Sequence, residues 1–228
     1  MTRLIQRVGQ AVQSFVETVA RRLGQQMELL WDWLGDVLGL CEEYEGLVFT
    51  EEEETAISRA AGVLTEFFPE SPGKMLVQED YESRCEAIED FGKALVELYQ
   101  MDGLQVVVTD DKNVLGAEEG IIRYGVNVSA EHRVYINAAC LRCEDEKVLE
   151  NSVLIVIHEL RHEMQRQIAT GEKRYGVPYA RRHAWRVNMA HYIDSAQDFE
   201  GYFKQPIEFD ARAFSNGVWR RAYLKQAQ

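Results

Sequence analysis

Apolar residues recur at steps of three or four through Ile5, Val8, Val12, Phe15, Val19, Leu23, Met27, Leu30, Leu34 and Val37. That spacing predicts one long helix with a single apolar stripe, weakest at Gly24 and Gly35. Its first half is basic, with Arg3, Arg7, Arg21 and Arg22 against Glu17. A helix of this kind over residues 3–40 can pack on the rest of the chain, pair with a protein partner, or lie on an anionic membrane surface. Gln10, Gln13, Ser14 and Glu17 interrupt the apolar run, and Arg21-Arg22 stand where a cleavage region would be, so the start does not read as a signal peptide.

Residues 41–54 carry seven glutamates and no basic residue, as a solvated linker and helix start would. Thr50-Glu51-Glu52-Glu53 fits a capping box, opening a helix through Ile57, Ala60 and Leu64 to about Phe68. Pro69 and Ser71-Pro72-Gly73 stop it. A further helix spans about Glu79 to Gln100, with Cys85, Ile88, Phe91, Leu95 and Leu98 on one face, and Gly103 ends it. The pattern then changes. Residues 104–109 are short and β-branched, Asp110-Asp111-Lys112-Asn113 is turn chemistry, and 121–128 and 133–137 predict two more strands. Strands followed by helix predict an α+β fold with a small mixed or antiparallel sheet. The expected organisation is an accessory N-terminal helical segment over 1–72 and a main domain over 73–228.

Composition narrows the function. A chain of 228 residues, 46% apolar and 10% aromatic, is globular and long enough for a substantial core. A net charge of −13 argues against binding a nucleic-acid backbone. No run approaches 18 apolar residues, so no transmembrane segment is expected. Four cysteines are too few for a disulfide scaffold and predict reduced thiols in a cytoplasmic protein. Cys140-Leu-Arg-Cys143 is a C-x-x-C, but Cys41 and Cys85 are isolated, so no four-ligand site is expected. Arg181-Arg182-His183 could hold an acidic group or form surface ion pairs.

The chemistry concentrates in Leu154-Ile155-Val156-Ile157-His158-Glu159-Leu160-Arg161-His162. Four residues advance a helix by about 400°, which leaves His158 and His162 on one face, one turn apart. Two imidazoles so placed can bind one Zn²⁺, and Glu159, rotated by about 100°, can reach a metal-activated water without being a ligand. Charged and polar side chains on an otherwise apolar helix need such a reason. A catalytic zinc requires a third protein ligand. Gln205-Pro206-Ile207-Glu208-Phe209-Asp210-Ala211 starts a helix, with Pro206 suited to its first turn and Ile207, Ala211, Phe214 and Val218 forming its apolar face. Glu208 beside that face is the leading candidate, and Ala211 would let two helices approach closely. Asp210 is the rival ligand, or an acceptor that orients an imidazole N–H. His132, His183 and His191 are the remaining candidates.

His158-Glu159-x-x-His162, followed 46 residues later by Glu208 in Glu-x-x-Ala, resembles the gluzincin-type zinc metallopeptidases, in particular the small single-domain minigluzincins and related bacterial and phage proteins. The likeness covers about residues 103–225. It implies a zincin-like fold, with the sheet packed on the active-site helix and on a later ligand helix. One zinc per chain would be held by His158, His162 and Glu208, with Glu159 as general base in peptide-bond hydrolysis. Val134-Tyr135-Ile136-Asn137-Ala138 is similar to the family's substrate-aligning edge strand. The larger gluzincins place a supporting aspartate four residues after the ligand glutamate, whereas Asp210 follows by two. Tyr202 and Tyr223 are candidate donors to the oxyanion. The expected substrate is a peptide or protein, and residues 1–72 could cover the cleft as a prosegment. The alternative is a catalytically silent zinc-binding regulatory or interaction protein of the same fold.

Overall fold

A computed structural model describes residues 47–115 and 123–224. Tyr44–Gly116 and Arg123–Gln228 form one compact unit. The expectations for helix 3–40 and for residues 121 and 122 lie outside the described residues. The unit contains the helix that the sequence grouped with an N-terminal segment ending at 72, so the start of this unit falls near residue 44.

Along the chain run α1 (Glu51–Phe67), α2 (Pro72–Leu76), α3 (Tyr81–Leu98), β1 (Gln105–Thr109), α4 (Lys112–Leu115), β2 (Gly125–Val128), β3 (Arg133–Asn137), α5 (Ala138–Leu141), α6 (Glu146–Thr170), α7 (Tyr179–Ala190), α8 (Phe199–Phe203) and α9 (Pro206–Trp219). A π-helical turn, Arg220–Leu224, follows. The fold is α+β, mostly helical, with a small three-stranded mixed sheet. No helix among the described residues is long and apolar enough to cross a membrane.

Helix ends follow local chemistry. Thr50 and Glu53 form the capping box that opens α1, with Glu53 N donating to Thr50 Oγ1 at 3.2 Å and Thr50 N to Glu53 Oε2 at 2.9 Å. Asp145 caps α6 through the amides of Lys147 and Val148. Gly171 ends α6 at φ 86°, a left-handed conformation that favours glycine.

The sheet order is β1-β3-β2, with β1 parallel and β2 antiparallel to β3. This corrects the expected role of Val134–Ala138: β3 is the central strand, and β2 is the edge that packs against α6. The reason is in the pattern. Val134, Tyr135, Ile136 and Asn137 are all buried, so both faces of β3 are covered, as a central strand requires.

Helix α6 runs through the middle of the unit. Leu149, Val153, Ile157, Leu160, Met164 and Ile168 are fully buried along it. It packs on α2, α3, α7, α9 and the sheet. Ala211, also fully buried, lies on the α9 face that packs against α6. Helix α1 packs on α3 and α9.

A charged cluster sits within this core. Arg161 on α6 has no exposed surface. It donates to Asp210 on α9 (Nε to Oδ1, 2.7 Å) and to Glu53 on α1 (2.5 Å). Arg181 on α7 also grips Glu53. The guanidinium of Arg161 stands 4.6 Å from the Phe214 ring centroid and 5.3 Å from that of Trp185. Its Nη1 has no hydrogen-bond partner, so these aromatic faces supply its remaining contact. Two cations and two anions thus balance inside the core and join four helices. Removing one partner of such a cluster leaves uncompensated charge, at a cost of about 3–5 kcal/mol. Arg161→Ala and Glu53→Ala should each lower the unfolding free energy by about that amount in urea titrations, whereas Glu54→Ala on the same helix turn should change it by under about 1 kcal/mol.

Candidate metal centre

Three donor atoms meet where α6 crosses the first turn of α9. His158 Nε2 lies 3.0 Å from His162 Nε2. Glu208 Oε2 lies 3.2 Å from His158 Nε2, and Glu208 Oε1 lies 3.3 Å from His162 Nε2. Ligands about 2.0–2.1 Å from a tetrahedral zinc stand about 3.3–3.4 Å apart; the two Glu208 oxygens each lie near that distance from a different imidazole, and one ligand atom from each residue lies within 4.8 Å of the others. Among the described residues, His158, His162 and Glu208 form the group that could hold a metal ion. His132, His183 and His191 are outside it.

The chemistry of the atoms also fits a cation. Glu208 is 1% exposed, and its Oε2 has no hydrogen-bond partner. A buried carboxylate oxygen in that state calls for positive charge. Burial opposes ionisation of Glu208, but the neighbouring His162 and His158 hold its carboxyl well below the usual range. Burial likewise opposes the charged form of His162, yet the Glu208 carboxylate beside it raises its pKa to about 9.

His162 and Glu208 are each held from behind. Gln165, one turn after His162, places its Oε1 2.9 Å from His162 Nδ1. Gln165 Nε2 donates to Asp210 Oδ1 at 2.8 Å and to the Ile207 carbonyl at 2.9 Å. Asp210 is therefore not a ligand, a correction to its candidacy: its oxygens are taken by Arg161 and Gln165. Asp210 accepts from Gln165, which in turn contacts His162.

Glu208 is braced by a residue absent from the sequence-based candidates. Tyr192, in the loop after α7, donates its hydroxyl to Glu208 Oε1 at 2.7 Å. Burial raises the Tyr192 phenol far above its ordinary value, and Glu208 pushes it further. The loop is tied to α9 by Gln205, whose Oε1 accepts from the Ile193 amide at 2.8 Å and from Asn188 Nδ2 at 2.7 Å. Asn188 Oδ1 in turn accepts from the Ile207 amide at 3.1 Å, satisfying a first-turn N–H of α9. Tyr202 packs edge-on to Tyr192, with ring centroids 6.2 Å apart, and its phenol is raised by burial and by Glu208. Tyr223 belongs elsewhere, which corrects its candidacy: its hydroxyl donates to the Phe68 carbonyl at 2.7 Å.

Glu159 is buried and lies beside β2. A Cβ at Gly125 would stand 3.4 Å from Glu159 Cγ, an ordinary contact distance, so β2 lies directly against Glu159. Asn127 Nδ2 contacts the Glu159 carbonyl at 3.4 Å. The Glu159 charge is felt by His162, Tyr192 and Tyr202, which locates its carboxylate with the cluster. Among the other candidates, Arg181 serves the buried cluster through Glu53. Cys85, Cys140 and Cys143 are free thiols, with burial pushing Cys140 up to about 12.

Gln165 was visible in principle, three residues after a candidate ligand on the same helix. Tyr192 carried no such signal, because only the folded loop brings it to Glu208. Comparison with protein-family models, with curated proteins and with solved structures finds no match to this chain.

The coupled pair sets a pH dependence for the metal-free protein. The raised pKa of His162 contributes stability that is fully present below pH 6.5 and lost as pH rises through about 9. The depressed pKa of Glu208 contributes stability present above pH 4.5 and lost as pH falls further. Urea midpoints of chelator-treated protein should therefore decline between pH 6.5 and 9. The decline should disappear with Zn²⁺ added, because a bound dication replaces the imidazole proton.

Proposed function

We propose that this chain is a zinc-dependent metallopeptidase of the gluzincin type with a zincin-like arrangement of its active-site helix, ligand helix and edge strand. The observation that carries the reading is the His158–His162–Glu208 cluster, with the two Nε2 atoms 3.0 Å apart and a Glu208 oxygen 3.2–3.3 Å from each, while the next residue after His158, Glu159, is a buried carboxylate outside the cluster. Bound there, Zn²⁺ would acidify a water to near-neutral pKa and polarise a substrate carbonyl.

The protein's own groups then have distinct tasks. His158 Nε2, His162 Nε2 and a Glu208 oxygen hold the ion. Glu159 accepts the water proton on its carboxylate and passes it to the leaving amine nitrogen. Leu154 and Ile155, on α6 one turn before His158, help to dry the site, and Leu154 is fully buried. Tyr192 is the better-placed donor for a developing oxyanion than Tyr223, since its hydroxyl reaches Glu208 and the residue is exposed. Strand β2 offers an outer edge that no strand among the described residues occupies. An extended peptide can add to such an edge by main-chain hydrogen bonds, bringing a scissile carbonyl alongside Glu159.

Two sets of measurements test this reading. Metal content and peptide cleavage should be followed together on wild type, Glu159→Gln and Glu208→Ala. Glu159→Gln should retain about one zinc per chain and lose cleavage by roughly 10²–10⁴-fold. Glu208→Ala should lose zinc. Cleavage that persists in Glu159→Gln overturns the mechanism, and a wild type that binds zinc without cleaving any peptide in a diverse pool favours the silent alternative. In the second set, Tyr192→Phe should lower kcat by about 10²–10³-fold with zinc content unchanged.

A further inference from the structure

The hydrogen-bond accounting around Gln165 leaves one solution. Gln165 is fully buried, so water does not complete its bonds. Its amide faces three groups: the Ile207 carbonyl at 2.9 Å, Asp210 Oδ1 at 2.8 Å and His162 Nδ1 at 2.9 Å. The carbonyl has no proton to give. Asp210 accepts from Arg161 at both oxygens, Oδ1 from Nε at 2.7 Å and Oδ2 from Nη2 at 3.2 Å, so Oδ1 meets Gln165 as an acceptor. Both N–H bonds of the amide must therefore point at these two oxygens. The reverse orientation would set Oε1 against two acceptors in the core. Gln165 Oε1 is thus directed at His162 Nδ1, and the only bond available there is N–H donated by the imidazole.

Resting on the metal-centre reading above, we propose that Gln165 is a positioning residue: it relays the Arg161–Asp210 ion pair to His162 and holds that imidazole as the Nδ1–H tautomer, with the Nε2 lone pair aimed at the metal. The relay explains how Asp210, two residues after Glu208 on α9, orients an imidazole on α6 that it does not touch. One glutamine spans the gap, and its spare N–H on the Ile207 carbonyl holds it to the first turn of the ligand helix. The same amide therefore couples the position of Glu208 to the tautomer of His162.

The test compares wild type, Gln165→Leu and Gln165→Glu. Both substitutions break the bonds to Ile207 and Asp210. Only Glu keeps an acceptor for His162 Nδ1–H. Zinc affinity is measured by chelator competition, and the imidazole tautomer of the zinc-loaded protein by ¹⁵N–¹H NMR. Wild type should show His162 as Nδ1–H with a slowly exchanging proton. Gln165→Leu should lose that signal and bind zinc about 10–100-fold more weakly. Gln165→Glu should keep the signal and recover most of the affinity. Equal losses in both variants would mean that Gln165 acts only through helix packing, and would overturn the relay while leaving the metal centre standing. Unchanged affinity and an unchanged signal in Gln165→Leu would do the same. If Gln165→Glu does not fold, the signal and affinity of Gln165→Leu decide alone. A wild type that takes up no zinc overturns the metal centre and the relay together.

Discussion

The contact between Arg161 and Asp210 is the constraint on which the rest of the site depends. Arg161 immediately precedes His162, and one residue turns a helix by about 100°. The imidazole therefore faces the metal site while the guanidinium faces the core. Asp210 follows Glu208 by two residues, about 200° round α9, so it too faces away from the Glu208 carboxylate. Joining Arg161 to Asp210 consequently sets the height and rotation of the two helices at which His158, His162 and Glu208 converge. The ion pair is a register device as much as a source of stability, a role best attested for buried polar groups.

The cost of such a device is desolvation, and the surrounding residues offset it in an identifiable way. Glu53 brings a second anion from α1, Arg181 a second cation from α7, and Phe49, Trp185 and Phe214 turn ring faces towards the guanidinium. The capping box of α1 is part of the same arrangement. One oxygen of Glu53 accepts the Thr50 amide and the other accepts Arg161. A local helix-start motif thereby becomes a tertiary anchor, and α1 is bound to the chemistry of α6 rather than set apart from it.

A gradient of satisfaction runs outward from this cluster. Asp210 is fully engaged, Gln165 has all three of its amide bonds, and His162 commits Nδ1 to Gln165 while its Nε2 faces His158 and Glu208. Glu208, deeper than either histidine, retains an oxygen with no partner. Polar satisfaction ends where the metal-capable atoms begin, which is how a rigid core can present a reactive vertex. Glu159 packs from α6 against β2, and Tyr192 reaches Glu208 from a loop clamped by Gln205 and Asn188.

Much of this was legible in the linear pattern, because it depends on interactions within a few residues. The cap at Thr50–Glu53, the helices 51–67 and 81–98, the histidine pair at helical spacing and the proline-started helix bearing Glu208 are all of that kind. The mixed α+β character followed from the change of periodicity near residue 104. What the chain order could not supply was pairing at long separation. It did not say that β3 is central and β2 the edge, since strand order is a matter of which hydrogen bonds form across the sheet. It did not say that Tyr192 rather than Tyr223 reaches Glu208, because loop residues have no period. Nor did it say that Glu53 belongs with residues more than a hundred positions away. The sequence by itself determined which side chains can bind a cation and from which helix faces they project. Only tertiary structure decided which of them meet, because convergence depends on the packing register of helices that are distant along the chain.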